Sequence, residues 1–186
     1  MKDTLKNEVL AIGRKYSKAD IDAKNNLLKK NIEKLPEFKN AKTVCFYISL
    51  ENEAETHGMI KDSLKNKKKV IIPYVDNQEI VLHELLDFSE LEKGRLGILA
   101  PKKQFIRKFD SKNIDIIIMP GLMFDKKGHR IGFGESHYDK ALSKTKAKKI
   151  AIAYDFQIVD YMPSVVHDIK ADIIVTDTKT FKTANA

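Results

Sequence analysis

Asp115-Ile116-Ile117-Ile118-Met119, stopped by Pro120-Gly121, is the stretch that decides the fold. Four apolar residues in succession, closed by two turn formers, read as a strand buried on both faces. The same texture recurs outward from it in Thr43–Ser49 (T-V-C-F-Y-I-S), Val70–Val75 (V-I-I-P-Y-V), Ile150–Tyr154 (I-A-I-A-Y) and Ile173–Thr176 (I-I-V-T). Strands of this kind belong to parallel sheets covered by helices. The expected architecture is therefore a three-layer, Rossmann-like α/β/α fold with a mostly parallel sheet. Glu79–Leu85 reads as a further strand, reached from Val70–Val75 through the turn-like Asp76-Asn77-Gln78.

Helical periodicity fills much of the remainder. Leu5, Val9, Ile12 and Tyr16 fall on one face of a helix over residues 2–16. Ser17-Lys18-Ala19-Asp20 has the spacing of a capping box, and it opens a second helix with Ile21, Leu28, Ile32 and Leu35 on one side. Pro36 ends that helix, which completes an N-terminal helical pair. Further helices are expected over about 54–67 and 137–144. No Ser/Gly-rich linker and no internal repeat divides the chain, so residues 1–186 are read as one domain.

Composition narrows the class. An apolar content of 42% with 32% charged residues fits a soluble globular protein. No apolar run approaches the ~18 residues that span a bilayer, and the charged start Met1-Lys2-Asp3 lacks a signal-peptide core. Cys45 is the one cysteine and sits in an apolar strand, so it reads as a small buried hydrophobe in a reducing compartment. A cytoplasmic protein without a membrane partner is expected. The net charge of +8 comes from 34 basic residues spread along the whole chain. Lys65-Asn66-Lys67-Lys68-Lys69 closes a predicted helix, where cations suit the carbonyl end of the dipole. Aromatic and basic residues are not interleaved as single-strand binders require, so no nucleic-acid partner is expected.

The most unusual stretch follows the deciding strand, at the carboxyl end where open α/β sheets bind ligands. Residues 120–139 hold four of the eight glycines: Gly121, Gly128, Gly132 and Gly134. Gly132 and Gly134 leave backbone N–H groups open to a phosphate just before a predicted helix. Arg130 offers a forked guanidinium for a phosphoryl group, and Asp139 a carboxylate of the kind Mg²⁺ prefers. The same residues also make an ordinary tight turn, with its helix capped by Ser136 and Asp139. The run matches neither a Walker A loop nor a dinucleotide fingerprint.

Taken whole, residues 120–139 resemble the signature of the 5-formyltetrahydrofolate cyclo-ligase family, P-G-(L/V)-A-F-D-x-x-G-x-R-(L/I)-G-(Y/F)-G-x-G-Y-Y-D. Pro120, Gly121, Phe124, Asp125, Gly128, Arg130, Gly132, Gly134, Tyr138 and Asp139 match in register. Fainter echoes run in the family's order along nearly the full chain. Tyr47-Ile48-Ser49 with Glu53 and Thr56 is similar to its Y-x-S…E-x-x-T segment. Ile72-Pro73, Gly97-Ile98…Pro101, the A-Y-x-x-Q tract ending at Gln157, and His167-Asp168 with Ile174-Val175-Thr176 continue it.

The resemblance implies a monomeric enzyme that uses ATP and Mg²⁺ to close a reduced folate, 5-formyltetrahydrofolate, into its 5,10-methenyl form. It implies that Lys2, Lys6, Arg130, Gly132 and Gly134 face the ATP phosphates, with Ile131, Phe133, Glu135, Ser136, His137 and Tyr138 completing the nucleotide loop. Arg130 would carry the catalytic charge, Asp139 would face Mg²⁺, and Glu53, Tyr138 and Tyr47 would border the folate. The loop departs from the family at Ser136, where the signature has glycine, and at His137, where it has an aromatic. Glu135 occupies a variable position that is often lysine or glycine. Ala100 replaces an acidic residue, and Lys6 replaces an arginine, keeping the charge without the fork. These departures leave open a diverged nucleotide-binding relative with an altered substrate or without cyclo-ligase activity.

Overall fold

A computed structural model of the chain describes residues 2–51, 53–76, 79–94, 97–132, 145–162 and 169–183, except the side chains of Lys2 and Asp3. Its central sheet has seven strands in the order β12-β11-β9-β6-β1-β2-β3, which are Thr180–Lys182, Ile173–Thr176, Lys148–Ala153, Ile116–Met119, Thr43–Cys45, Lys69–Asp76 and Glu79–Leu85. Pairing is parallel for β1 with β2, β1 with β6, and β9 with β11. It is antiparallel where β3 folds back on β2 and β12 on β11, at the two edges of the sheet. The mostly parallel sheet expected from the apolar strands is present. The reason is visible in β6, β9 and β11, where Ile116–Met119, Ile150–Ala153 and Ile173–Val175 are all buried.

The chain gathers into two compact units. The first comprises Met1–Lys39, Met119–Gly134 and Lys149–Ala186. It contains helices α1 (Lys2–Gly13) and α2 (Lys18–Lys34). The capping box of α2 forms as its spacing predicts: Ser17 Oγ accepts the Asp20 N–H at 3.2 Å, and an Asp20 carboxylate oxygen accepts the Ser17 N–H at 3.0 Å. Leu28 and Ile32 are fully buried, and the Asn31 amide donates to the carbonyls of Thr176 and Asp177, tying the helix to the end of β11. Helix α1 stops three residues earlier than its periodicity suggests. Tyr16, beyond its end, instead stacks on Phe156 at 5.2 Å. Pro36 ends α2 and begins a short helix, α3 (Pro36–Asn40), since proline is pre-organised for a first helical turn.

The second unit comprises Asn40–Ile118 and Glu135–Lys148. Its helix α4 (His57–Lys65) precedes β2, and Lys67 just beyond it takes a positive φ of 59°. A two-stranded ladder, β4 (Leu91–Lys93) with β5 (Leu99–Pro101), lies farther along. The segment Arg107–Phe109 covers the outer edge of β3, through Phe109 N–H to the Leu82 carbonyl and Glu84 N–H to the Arg107 carbonyl, both at 2.9 Å. Covering an edge in this way removes a template for unwanted strand pairing. Cys45 is fully buried, as its apolar surroundings suggest. The short helix expected over 137–144 and the turn at Asn77-Gln78 lie outside the described residues. Among the described residues no helix is long and apolar enough to cross a membrane.

Candidate active site

In the first unit, residues 123–131 of the unusual stretch form a hairpin. Its strands are β7 (Met123–Asp125) and β8 (Arg130–Ile131), in register Met123 with Ile131 and Phe124 with Arg130. A third strand, β10 (Ile158–Val159), adds in parallel to β7. Strand side chains alternate between faces, so Met123 and Ile131 share one side while Arg130 points to the other. Met123 and Ile131 sit in a buried cluster with Val9 and Met162, and Leu5 of α1 packs against it. This contact brings α1, and with it the half-buried Lys6, to the hairpin that carries Arg130.

Asp125 organises the turn between the two strands. One of its carboxylate oxygens accepts the N–H groups of Lys127 at 2.9 Å and His129 at 3.0 Å, and the other meets His129 Nδ1 at 2.8 Å. Gly128 adopts φ +89° within this turn, and a Cβ there would overlap the carbonyl oxygen of Ala171. That carbonyl lies close because the Gly128 carbonyl accepts the Ala171 N–H at 2.9 Å. The matched aspartate and glycine of the signature are thus explained by the turn alone.

Arg130 is half-buried, and its Nη1 donates to the Pro120 carbonyl at 3.4 Å. Gly132 leaves space for that guanidinium, since a Cβ on it would stand 3.3 Å from Arg130 Nη1. The glycine has a steric reason here besides the open N–H that motivated its selection. Phe133, Gly134, Glu135, Ser136, His137, Tyr138 and Asp139 lie outside the described residues, as does the His167-Asp168 segment. Lys2 belongs to α1, with its side chain likewise outside the described residues. Among the described residues no three His, Cys, Asp or Glu side chains form a group able to hold a metal ion.

The second unit carries Tyr47 and Glu53 in the loop after β1. The Tyr47 hydroxyl donates to the Ala54 carbonyl at 2.7 Å, and the Thr56 hydroxyl donates to the Tyr47 carbonyl at 2.7 Å. Ser49 and Thr56 exchange bonds, each backbone N–H donating to the other's hydroxyl oxygen at 3.1 and 3.0 Å. The Y-x-S…E-x-x-T pattern therefore encodes a self-satisfied knot. It leaves the Tyr47 ring, and not a free hydroxyl, as what that residue can present to a ligand. Glu53 accepts the Leu50 N–H at 2.9 Å. Burial pushes its carboxyl above the usual glutamate range, opposed by that backbone hydrogen bond.

Two organising residues receive no role from the sequence. Asp177, at the end of β11, is buried and holds Lys24 of α2 at 2.6 Å while accepting the Asp155 N–H at 2.7 Å. Gln157 was visible in its A-Y-x-x-Q tract, without a role attached to it. Its side-chain amide donates to the Gly121 and Leu122 carbonyls at the mouth of the hairpin.

Fold and site together define a mostly parallel α/β protein in which a glycine-shaped hairpin displays an arginine opposite its buried face. The chain belongs to the 5-formyltetrahydrofolate cyclo-ligase family, whose model matches residues 1–177. A mouse (Mus musculus) 5-formyltetrahydrofolate cyclo-ligase is 30% identical over 152 residues, covering 75% of each chain. The solution structure of Aquifex aeolicus 5,10-methenyltetrahydrofolate synthetase superposes with a TM-score of 0.89 at 30% identity, over 100% of this chain and 94% of that one. The Mycoplasma pneumoniae synthetase structure shares the fold, with a TM-score of 0.74 at 23% identity over 95% of this chain and 98% of that one.

Proposed function

We propose that the chain closes 5-formyltetrahydrofolate to 5,10-methenyltetrahydrofolate at the expense of ATP, releasing ADP and phosphate. The observation that carries this reading is the reach of the family match, residues 1–177 and not the signature alone. The chemistry suits the residues. The formyl oxygen takes the γ-phosphoryl group as the bond to ADP breaks. N10 of the folate then attacks the formyl carbon and gives up its proton. The C–O bond breaks, phosphate departs, and the carbon is left bridging N5 and N10. Phosphoryl transfer is catalysed by position and charge neutralisation, so no side-chain nucleophile is needed and a buried Cys45 fits.

In this reading Arg130 forks onto the transferred phosphoryl group, with Gly132 and Gly134 presenting N–H groups and Lys2 and Lys6 adding charge. Ile131, Phe133, Glu135, Ser136, His137 and Tyr138 complete the loop around the nucleotide. Glu53 and the rings of Tyr47 and Tyr138 border the folate. Mg²⁺, faced by Asp139, would neutralise phosphate charge while keeping most of its own water ligands. The protein is read as a cytoplasmic monomer.

The test is the growth of the ultraviolet absorbance of methenyltetrahydrofolate when the protein meets 5-formyltetrahydrofolate, Mg²⁺ and ATP. ATP-dependent growth is the expected result, with Arg130→Ala abolishing most of it in a folded protein. No growth with ATP binding retained assigns the chain to a relative with another substrate, a result that would trace to Glu135, Ser136 or His137.

A further inference from the structure

Gln157 closes the 3-10 turn Asp155–Gln157 and is only 2% exposed. Its Oε1 accepts the Tyr154 N–H at 2.8 Å. That bond fixes which end of the amide is nitrogen, and Nε2 accordingly donates to the Leu122 carbonyl at 2.9 Å and the Gly121 carbonyl at 3.3 Å. Arg130 takes the preceding carbonyl, that of Pro120. Three successive carbonyls at the entrance of the hairpin are thus shared between Gln157 and the arginine assigned to the phosphoryl group. The link continues across the ladder, because Leu122 N–H donates to the Ile131 carbonyl at 2.7 Å, one residue beyond Arg130. Immediately after Gln157, Ile158 and Val159 pair with Phe124 and Asp125.

We propose that Gln157 is a positioning residue for the nucleotide, setting the place of Arg130 through Gly121, Leu122 and Ile131. The proposal rests on the functional reading above and adds a residue to it. Only an amide of this length supplies an acceptor to Tyr154 and two donors to the carbonyls at once. A glutamate has the same shape, but ionised it offers acceptors alone and confronts two carbonyl oxygens. In a reaction catalysed by placement, a shift of about 1 Å costs about 10²-fold in rate.

Gln157→Glu is the discriminating variant, because a protonated carboxyl restores one of the two donors and the carboxylate restores none. At pH 8 its kcat/KM for ATP is expected to fall by about 10²-fold, the loss attached to a displacement of that order. The KM for the folate should stay within about twofold, since the two carbonyls that Gln157 holds both lie at the entrance of the nucleotide hairpin. The deficit should shrink as the pH is lowered toward 5.5, relative to the unsubstituted protein at each pH. Gln157→Met, which cannot titrate, should show a deficit that does not respond to pH, and it serves the same test if the glutamate variant fails to fold. The proposal is overturned if either folded variant keeps the original kcat/KM for ATP. A loss that weakens both substrates equally, with no pH response in the glutamate variant, also overturns it and leaves Gln157 a purely structural residue. The unsubstituted protein separates the two readings. If it neither turns over nor binds ATP, the proposed function fails and this role fails with it. If it is active and the variants match it, the role of Gln157 alone fails.

Discussion

Gly128→Ala is the most demanding test of the hairpin geometry. The residue holds φ +89°, and in the left-handed region an alanine costs about 1–2 kcal/mol. The new Cβ would overlap the Ala171 carbonyl oxygen, and it would stand 3.0 Å from Thr183 Cγ2 and 3.3 Å from the Ala171 carbonyl carbon. Two of those three neighbours are backbone, so the turn has to move. Movement disturbs the bond from Ala171 N–H to the Gly128 carbonyl, at 2.9 Å. A typical hydrogen bond of this type contributes about 0.5–1.5 kcal/mol. The sum is about 1.5–3.5 kcal/mol of lost stability. At about 2–4 °C per kcal/mol for a chain of this size, Tm should fall by roughly 3–14 °C. Thermal unfolding followed by circular dichroism measures this directly. Turnover assayed well below the new Tm should also drop, because Arg130 begins the strand that follows the turn. A variant melting within about 2 °C of the parent would refute the argument, since even the lower bound of the summed cost exceeds that.

Three other substitutions probe separate parts of the molecule. Glu53 has its carboxyl raised by burial, so the folded state holds its proton to higher pH than the unfolded chain and ionisation costs stability at neutral pH. Glu53→Gln keeps an acceptor for the Leu50 N–H, and it should raise Tm at pH 7.5 while raising the KM for the folate; a lower Tm there would contradict the sign. His83 is fully buried, with Nδ1 accepting the Arg107 N–H at 3.0 Å, and its proton affinity is lowered by burial and by the Arg107 charge, against Glu90 and Glu84. The unfolded chain then takes up the proton first as pH falls below about 6.5, so stability is lost on acidification. His83→Gln, which accepts without titrating, should lose less Tm between pH 7.5 and 5.5 than the parent does; equal losses would place the acid sensitivity elsewhere. Lys24→Met leaves the 2%-exposed Asp177 carboxylate without its cation and should cost about 3 kcal/mol by denaturant titration, a smaller cost than 1 kcal/mol being evidence that the Asp155 N–H suffices.

The elements that the amino-acid pattern predicted are those whose stabilising neighbours follow from a local rule. An unbroken apolar run needs a covered parallel sheet, and β6, β9 and β11 have one. A serine three residues before an aspartate can cap a helix with no help from afar, and Ser17 does so. Departures occur where a distant or reciprocal partner competes. Thr43–Ser49 reads as one strand, yet β1 stops at Cys45, since Ser49 and the Tyr47 carbonyl bond to Thr56. The following helix starts at His57 and not at Ala54, whose carbonyl is taken by the Tyr47 hydroxyl. Strand β7 is three residues long and pairs with β10, which lies 34 positions onward at the Phe124–Ile158 pair, so no window of sequence contains both. Arg130 and Gly132 were selectable because charge and glycine at a strand end announce a phosphate site by residue type, whereas Lys6, in α1, was selectable only through the family resemblance. Gln157 announces nothing by type: a glutamine after an apolar strand ordinarily reads as a solvated turn. Its meaning lies in three backbone groups drawn from two segments, and an amide earns that position only once the fold has brought two carbonyls and an N–H within its reach. A residue that acts by holding backbone is defined by geometry, so in a protein whose chemistry depends on placement it is found last by sequence and first by structure.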